Sequence, residues 1–395
     1  MTVLRAGSAH DAGFLPERLD FARRLLQTHV VSGKTPTLVA SVARRGVVAF
    51  AEAFGQQYPD GPPASVDNIF ALASLTKPVT ATLIMCLVED GVVGINNRVV
   101  DYIPELSAAD NDTVLVHHLL THTHGWDDDE LLALTAARTE AGELPPFPAD
   151  GDLLEFVFIN PGWDAPRSRP VDTMMNYGNY GYQLLGNIVS RVTGMSIDAF
   201  ARQRLFEPLG MTSTAFIVTD EMRPRLAHRP NGIPFGPDAV PLGMEGPMWE
   251  ATQHGAAGLY SNAADMLTFG QMILNGGRYG DARILGKATV EAMTSNRLPG
   301  MSAKFGSILK REAGYGYGWV VRNFEAYAYF GSGLQPIGSL SHPGAGGVGM
   351  WIDKQHAVVG FFTEFATDLS DDLEPRSWVE NRFEDVVVSA LAEVD

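Results

Sequence analysis

Apolar runs of strand length lie towards the two ends of this chain, and helical periodicity fills the stretch between them; that segregation constrains the fold more than any other feature. Pro16 to Val31 carries apolar residues at helical spacing (Leu19, Phe21, Leu25, Leu26, Val30), and Gly33 ends the pattern. Two β-rich runs follow, Thr37 to Val42 and Val47 to Phe54, joined by Ala43-Arg44-Arg45-Gly46, which reads as a hairpin turn. Helices are predicted over Lys77 to Glu89, Thr113 to Leu120 and Asn179 to Val192, the last with Leu184, Leu185, Ile188, Val189 and Val192 on one face. The Pro- and Gly-rich stretches Leu144 to Pro148 and Asn160 to Pro170 read as surface loops. Strands return at Gly316 to Arg322, Gly338 to His342, Val348 to Ile352 and Ala357 to Thr363, before a final helix over Trp378 to Val394. The pattern predicts an α+β fold in which an antiparallel β-sheet, flanked by helices, is built from both chain ends. Residues 1–75 and 250–395 would form that α/β domain, with a mostly helical, long-looped domain inserted at 76–249.

The chain has 395 residues, 45% apolar and 19% charged, enough to bury a large core. Its formal net charge of -17 repels nucleic-acid backbones and anionic membrane surfaces, so neither is expected as a partner. The lone cysteine, Cys86, excludes an intrachain disulfide and, between Met85 and Leu87, reads as a buried small hydrophobe. No apolar run has signal-peptide or membrane-span length, which leads to the expectation of a cytoplasmic protein. The oligomeric state stays open, a homo-oligomer included.

Three segments can carry chemistry. Ser74-Leu75-Thr76-Lys77-Pro78 opens an apolar helix, with the proline suited to the first turn. Three residues make nearly one helical turn, so the Ser74 hydroxyl and the Lys77 amine share a face. A serine becomes nucleophilic when a base takes its proton, and a neutral amine is such a base. For a lysine of ordinary pKa about 10.4, half-neutrality near pH 7.5 costs about 4 kcal/mol, which burial and the helix N-terminus would have to supply. In Asn176-Tyr177-Gly178-Asn179, the Tyr177 phenol near such a lysine can relay a proton, and the Asn179 amide can hold the lysine or a substrate carbonyl. In Ser341-His342-Pro343-Gly344-Ala345, a strand end approaches a ligand with its backbone; the Ala345 N–H paired with the Ser74 N–H is the candidate oxyanion hole, with Gly344 and His342 beside it.

Taken together, Ser74-x-x-Lys77, Tyr177-Gly178-Asn179 and His342-Pro343-Gly344 resemble, in order, the three active-site motifs of class C β-lactamases and the related esterases, D-aminopeptidases and DD-peptidases of the penicillin-binding-protein superfamily. The stretches His117–Gly125, Gly258–Met266 and Tyr315–Trp319 also look familial. The resemblance implies a sheet domain beside a helical one, with the serine at their junction and Ser74, Lys77 and Tyr177 catalytic. It implies attack of Ser74 on an ester or amide carbonyl of a small-molecule substrate, an acyl-enzyme, and no cofactor. The third motif begins with His342 where β-lactamases and DD-peptidases of the family have lysine, which weakens the β-lactamase reading, whereas several esterases and peptidases of the family are similar in carrying histidine there; the leading expectation is a carboxylesterase for small or medium-chain esters, with a β-lactamase or D-aminopeptidase as alternatives. Acyl transfer to an alcohol or amine uses the same residues, and a binding protein that lost the chemistry is the non-enzyme alternative. His124 stands where the family more often has serine. With His117, His118 and His122 it invites a metal reading, but all four imidazoles come from one short stretch with no acidic ligand at zincin spacing, so no metal is expected. Trp126, Trp163, Trp249, Trp319 and Trp351 are candidates to line an acyl pocket, with Trp126 and Trp249 foremost.

Overall fold

The computed structural model describes residues 2–107, 110–144, 164–229, 247–250, 252–306, 308–324, 331–365 and 379–392. Its main sheet has seven strands: β1 (Arg5–Ala6), β2 (Thr37–Arg44), β3 (Val47–Gly55), β4 (Val320–Val321), β5 (Leu340–Gly344), β6 (Val348–Asp353) and β7 (Val358–Glu364). Their order is β1-β3-β2-β7-β6-β5-β4. All neighbours run antiparallel except β1, which pairs parallel with β3 through Arg5 and Val47. The sheet is therefore mixed at one edge rather than wholly antiparallel.

The alternation of strand side chains assigns the two faces. Leu38, Ala40 and Val42 of β2, Trp351 of β6 and Phe362 of β7 join one core with Leu19, Ala22 and Leu26 of the Pro16–Val31 helix and Phe383 of the Glu380–Ser389 helix. Val39, Ala43, Met350, Ile352, Val359 and Phe361 point the other way, into a larger core with the Ala263–Leu274 and Thr76–Glu89 helices. Helices on both faces explain why β2 is buried along its whole length and reads as a continuous apolar run.

Several boundaries move for identifiable reasons. Strand β2 runs on through Arg44 because the buried guanidinium donates to the carbonyls of His356, Ala12 and Gly13. The hairpin loop is thus only Arg45-Gly46, both at positive φ (52° and 80°), as a two-residue loop demands. The Gly316–Arg322 run supplies only β4, since its first half folds as a turn against the serine-bearing helix: Gly318 has φ 84°, and a Cβ there would lie 2.7 Å from the Ala81 Cβ. The Thr113–Leu120 segment splits into a 3-10 turn at Asn111–Thr113 and a helix at Val116–Leu120. The last helix spans Glu380–Ser389, with Trp378 and Val394 outside the described residues; so are 145–163, which take in half of the two predicted loops. The helices Asp128–Glu140 and Ala263–Leu274 are not among those predicted, although each has a side-chain cap, Asp127 Oδ1 accepting from Asp129 N and Asn262 Oδ1 from Asp265 N.

Cys86 is buried, and burial pushes its thiol up to about 12, so it is an inert apolar side chain. Among the described residues no helix is long and apolar enough to cross a membrane.

Candidate active site

Ser74 sits in a 3-10 turn, Ala73–Leu75, that leads directly into the Thr76–Glu89 helix. Ala73 is held at φ 46°, a conformation that a residue with a Cβ adopts only when its surroundings impose it. Two contacts impose it: Leu72 N–H donates to Leu259 O, and Thr76 Oγ1 donates to Ala73 O while accepting from Leu259 N–H. The result leaves Ser74 partly exposed at the head of an otherwise buried helix.

Lys77, one turn on, is completely buried. Its Nζ lies 3.0 Å from Ser74 Oγ, 2.9 Å from Asn179 Oδ1 and 3.2 Å from Ala256 O. It also sits 4.9 Å from the centroid of the Tyr177 ring. Burial lowers its pKa to about 7, while the Asp128 carboxylate pulls the other way. The partly buried Asp128 accepts from the Asn179 and Tyr180 N–H groups at 2.6 and 3.2 Å, closing the N-terminus of the Tyr180–Thr193 helix and fixing Asn179 over the lysine. Burial raises the Asp128 pKa, opposed by these backbone donors and by Lys77.

Tyr177 follows the short strand Met175–Asn176, and its ring stacks on Phe305 at 5.4 Å. Its hydroxyl is enclosed and has no hydrogen-bond partner among the described residues, although the nearby Ser74 hydroxyl opposes the upward shift of its pKa. Burial, reinforced by the Asp128 charge, dominates and holds Tyr177 as the neutral phenol.

The third segment is strand β5. Gly344 passes so close to the serine turn that a Cβ there would lie 2.2 Å from Leu72 O and 3.4 Å from the Ala73 Cβ, so only glycine lets this strand end approach the turn. His342 is buried, its Nδ1 2.7 Å from Pro343 O and its Nε2 3.5 Å from the Tyr315 hydroxyl. Burial and the Lys77 charge lower its pKa to about 3.

The other candidates lie further out. Trp126 is enclosed, donates Nε1–H to Ala165 O at 3.3 Å and packs edge-on to Tyr180 at 5.0 Å. Trp249 stacks on His254 at 5.7 Å. Trp319 and Trp351 are core residues, packed against Phe269 and Phe383, and Trp163 lies outside the described residues. The four neighbouring histidines go to four separate partners: His117 to Tyr317, His118 to Asp172, His122 to Tyr315, and His124 to the Trp126 N–H. His124 also lies against Gly181, where a Cβ would be 2.8 Å from the imidazole. Among the described residues no group of three or more His, Cys, Asp or Glu side chains is placed to hold a metal.

Sequence reasoning missed Asp128, His122, Tyr315 and Ala256 as members of the site. Asp128 had a signal, since four acidic residues, Asp127 to Glu130, before Leu131 and Leu132 mark a helix N-terminus. Ala256 acts through a backbone carbonyl, for which no side-chain signal exists.

A buried lysine bonded to a partly exposed serine at a helix start, on a helix-flanked sheet, defines a serine hydrolase. The chain belongs to the Beta-lactamase family, whose model matches residues 22–376. It is 28% identical to "Penicillin-binding protein 4" of Amycolatopsis lactamdurans over 79% of each chain. It is 29% identical to "Esterase EstB" of Burkholderia gladioli over 65% of this chain and 69% of that one. Among solved structures it superposes on that of "EstCE1, a hydrolase with promiscuous acyltransferase activity" with a TM-score of 0.72, at 21% identity over 95% of this chain and 98% of the other.

Proposed function

We propose that the protein is a carboxylesterase for neutral esters of small or medium acyl chains, with Ser74 as nucleophile, Lys77 as its base and Tyr177 as the proton carrier to the leaving group. The observation that carries this reading is the set of partners around Lys77. Ala256 O and Asn179 Oδ1 only accept, so a neutral amine spends both N–H groups on them and its lone pair is left facing the Ser74 hydroxyl. With a pKa of about 7, that neutral form is populated at ordinary pH.

In the forward step the Ser74 Oγ–carbonyl carbon bond forms as the hydroxyl proton passes to Lys77 Nζ. The carbonyl oxygen takes the negative charge between the Ser74 and Ala345 N–H groups. The ester C–O bond then breaks, the departing oxygen taking the Tyr177 proton, which the Lys77 ammonium replaces. Water reverses these transfers to release the acid and restore Ser74. Tyr177 suits this role because its hydroxyl is a neutral donor without another partner among the described residues.

The neutral His342 leaves the third motif without the charge that a substrate carboxylate would need, which favours neutral esters over β-lactams. Acyl transfer to an alcohol or amine is the second reading, supported by the likeness to EstCE1, a hydrolase with promiscuous acyltransferase activity, and would differ only in what replaces water at deacylation.

The test is p-nitrophenyl acetate and butyrate turnover beside nitrocefin, with intact-mass detection of the acyl adduct, in wild type and Ser74→Ala. Ester turnover and an adduct that both disappear in Ser74→Ala, with little nitrocefin opening, are the expected results. Turnover surviving in Ser74→Ala would remove the nucleophile, and efficient nitrocefin opening would replace the esterase reading.

A further inference from the structure

Behind the catalytic groups lies a row of side chains that the proposed chemistry does not use. Gly178 N–H donates to His122 Nδ1 at 3.4 Å; His122 Nε2 is 3.2 Å from the Tyr315 hydroxyl; that hydroxyl is 3.5 Å from His342 Nε2; and His342 Nδ1 is 2.7 Å from Pro343 O. The row links the turn carrying Tyr177 and Asn179 to the strand end carrying Gly344 and Ala345.

Its two ends fix the direction of every bond. Pro343 O can only accept, so His342 carries its proton on Nδ1. The neutral ring then has only a lone pair at Nε2, and Tyr315 must donate to it. Having one proton, Tyr315 must accept from His122, which places the His122 proton on Nε2 and leaves Nδ1 to accept from the Gly178 N–H, a group that can only donate. Tyr182, beside Tyr315, gives its own proton to Leu120 O at 2.9 Å, so its oxygen competes with His342 Nε2 only as an acceptor for the Tyr315 proton, a competition that the Tyr315→Phe comparison decides.

We propose that His122 and Tyr315 are positioning residues that hold His342 as a neutral ring protonated on Nδ1, so that His342 braces the Pro343–Gly344 peptide instead of meeting the substrate. Both ring nitrogens of His342 are spent on the protein, and the strand end offers a substrate neither a cation nor a free imidazole donor. This deepens the esterase reading and rests on it, since it assigns the preference for uncharged esters to a fixed tautomer rather than to an ordinary titrating histidine.

The charged and titratable side chains facing the two imidazoles oppose their protonation, while the Pro343 carbonyl favours it at His342. Lys77 acts on both rings, His124 and His342 act on His122, and the facing hydroxyls of Tyr177, Tyr182 and Tyr315 are neutral at physiological pH. His122 is clamped between the Tyr177 and Tyr182 rings, 4.7 and 4.9 Å from their centroids, so it cannot turn over to exchange its nitrogens without moving both.

The experiment is long-range 1H–15N correlation on the full chain labelled with 15N-histidine, without substrate, the two residues assigned by the signals lost in His122→Asn and His342→Asn. Expected are a protonated Nδ1 and bare Nε2 for His342, the mirror pattern for His122, and no change between about pH 8 and about pH 5. Tyr315→Phe removes the donor to His342 Nε2, so that signal moves to the position of an unbonded nitrogen and the ring becomes more basic. In the same variant kcat falls about tenfold, the worth of one lost hydrogen bond, while KM for a neutral ester stays within about twofold. The opposite tautomer on either ring, an imidazolium within that pH range in the wild type, or a His342 signal indifferent to Tyr315→Phe would overturn the proposal. Should Tyr315→Phe not fold, the wild-type spectra alone decide it. The spectra need no substrate, so absent ester turnover would remove the esterase reading and leave the tautomers standing.

Discussion

Replacing Lys77 by methionine should change not only the rate but the pH dependence of folding. Methionine keeps the length and volume of the side chain and removes its titration. In the folded protein the amine titrates near 7, against an ordinary value of 10.5. Because the folded state binds fewer protons than the unfolded chain between those values, wild-type stability climbs with pH across that window; below about 7 both states carry the proton and the full penalty, about 5 kcal/mol, is present. Linkage across the two pKa values gives about 3 kcal/mol of stability recovered by wild type between pH 6 and pH 9 from this group alone. Lys77→Met should lack that rise. It also strands the Asn179 and Ala256 acceptors, at about 1–3 kcal/mol each, but this cost does not vary with pH and cancels when the wild-type-minus-variant difference is compared at the two pH values. Urea unfolding at pH 6 and pH 9 measures it directly. A difference between wild type and variant that is the same at both pH values would refute a depressed Lys77 pKa, and with it the lysine base. The same variant should lose about 100- to 10,000-fold in ester kcat/KM.

Three further outcomes follow from the same geometry. The pH profile of ester kcat/KM should fall on the acid side with a midpoint near 7, because protonation of Lys77 removes the lone pair facing Ser74; a profile flat down to pH 5 would contradict this. Asp128→Asn removes the charge that favours the Lys77 ammonium, so that midpoint should move to lower pH while kcat falls through a displaced Asn179; a midpoint moving upward would count against the assignment. Gly344→Ala forces the strand end away from Leu72 O and should cut kcat about 100- to 1000-fold with a smaller effect on KM, and stability measured by urea unfolding should drop by about 1–3 kcal/mol.

Much of the sheet was legible because its strands alternate between two cores and its hairpin ends in glycine. The parallel pairing of β1 was not, since two residues, Arg5 and Ala6, are too few to carry a period. The Ala263–Leu274 helix was overlooked because it is apolar nearly all round, buried against the sheet, and such a segment lacks the one-sided pattern that marks a surface helix. In the site, Ser74, Lys77, Tyr177, Asn179 and His342 were readable less from any one spacing than from three motifs whose combination resembles the family's, and the structure brings all five together. Their distances were not readable, because they depend on close backbone approaches such as that of Gly344 to Leu72. His122 enters only the metal reading, and Tyr315 only as part of a stretch that looks familial; what they bond to is a property of three segments meeting. Trp126 shows the converse: an aromatic near a predicted cleft can spend its indole N–H on a neighbouring carbonyl and stay enclosed.

The pairing of β2 with β7 joins Leu38 to Glu364 and Arg44 to Val358, and Thr35 Oγ1 donates to Phe365 O. Contacts between segments so distant along the chain make for high contact order and slow closure of the sheet. During synthesis β2 and β3 emerge as an isolated hairpin, marginal by itself, and must wait for most of the remaining chain before the partner strand exists. A fragment stopping short of residue 358 would carry the Ser74 and Tyr177 segments yet expose the unpaired edge of β2, an apolar strand with nothing to cover it. Truncated products of this protein should therefore be aggregation-prone rather than partially active.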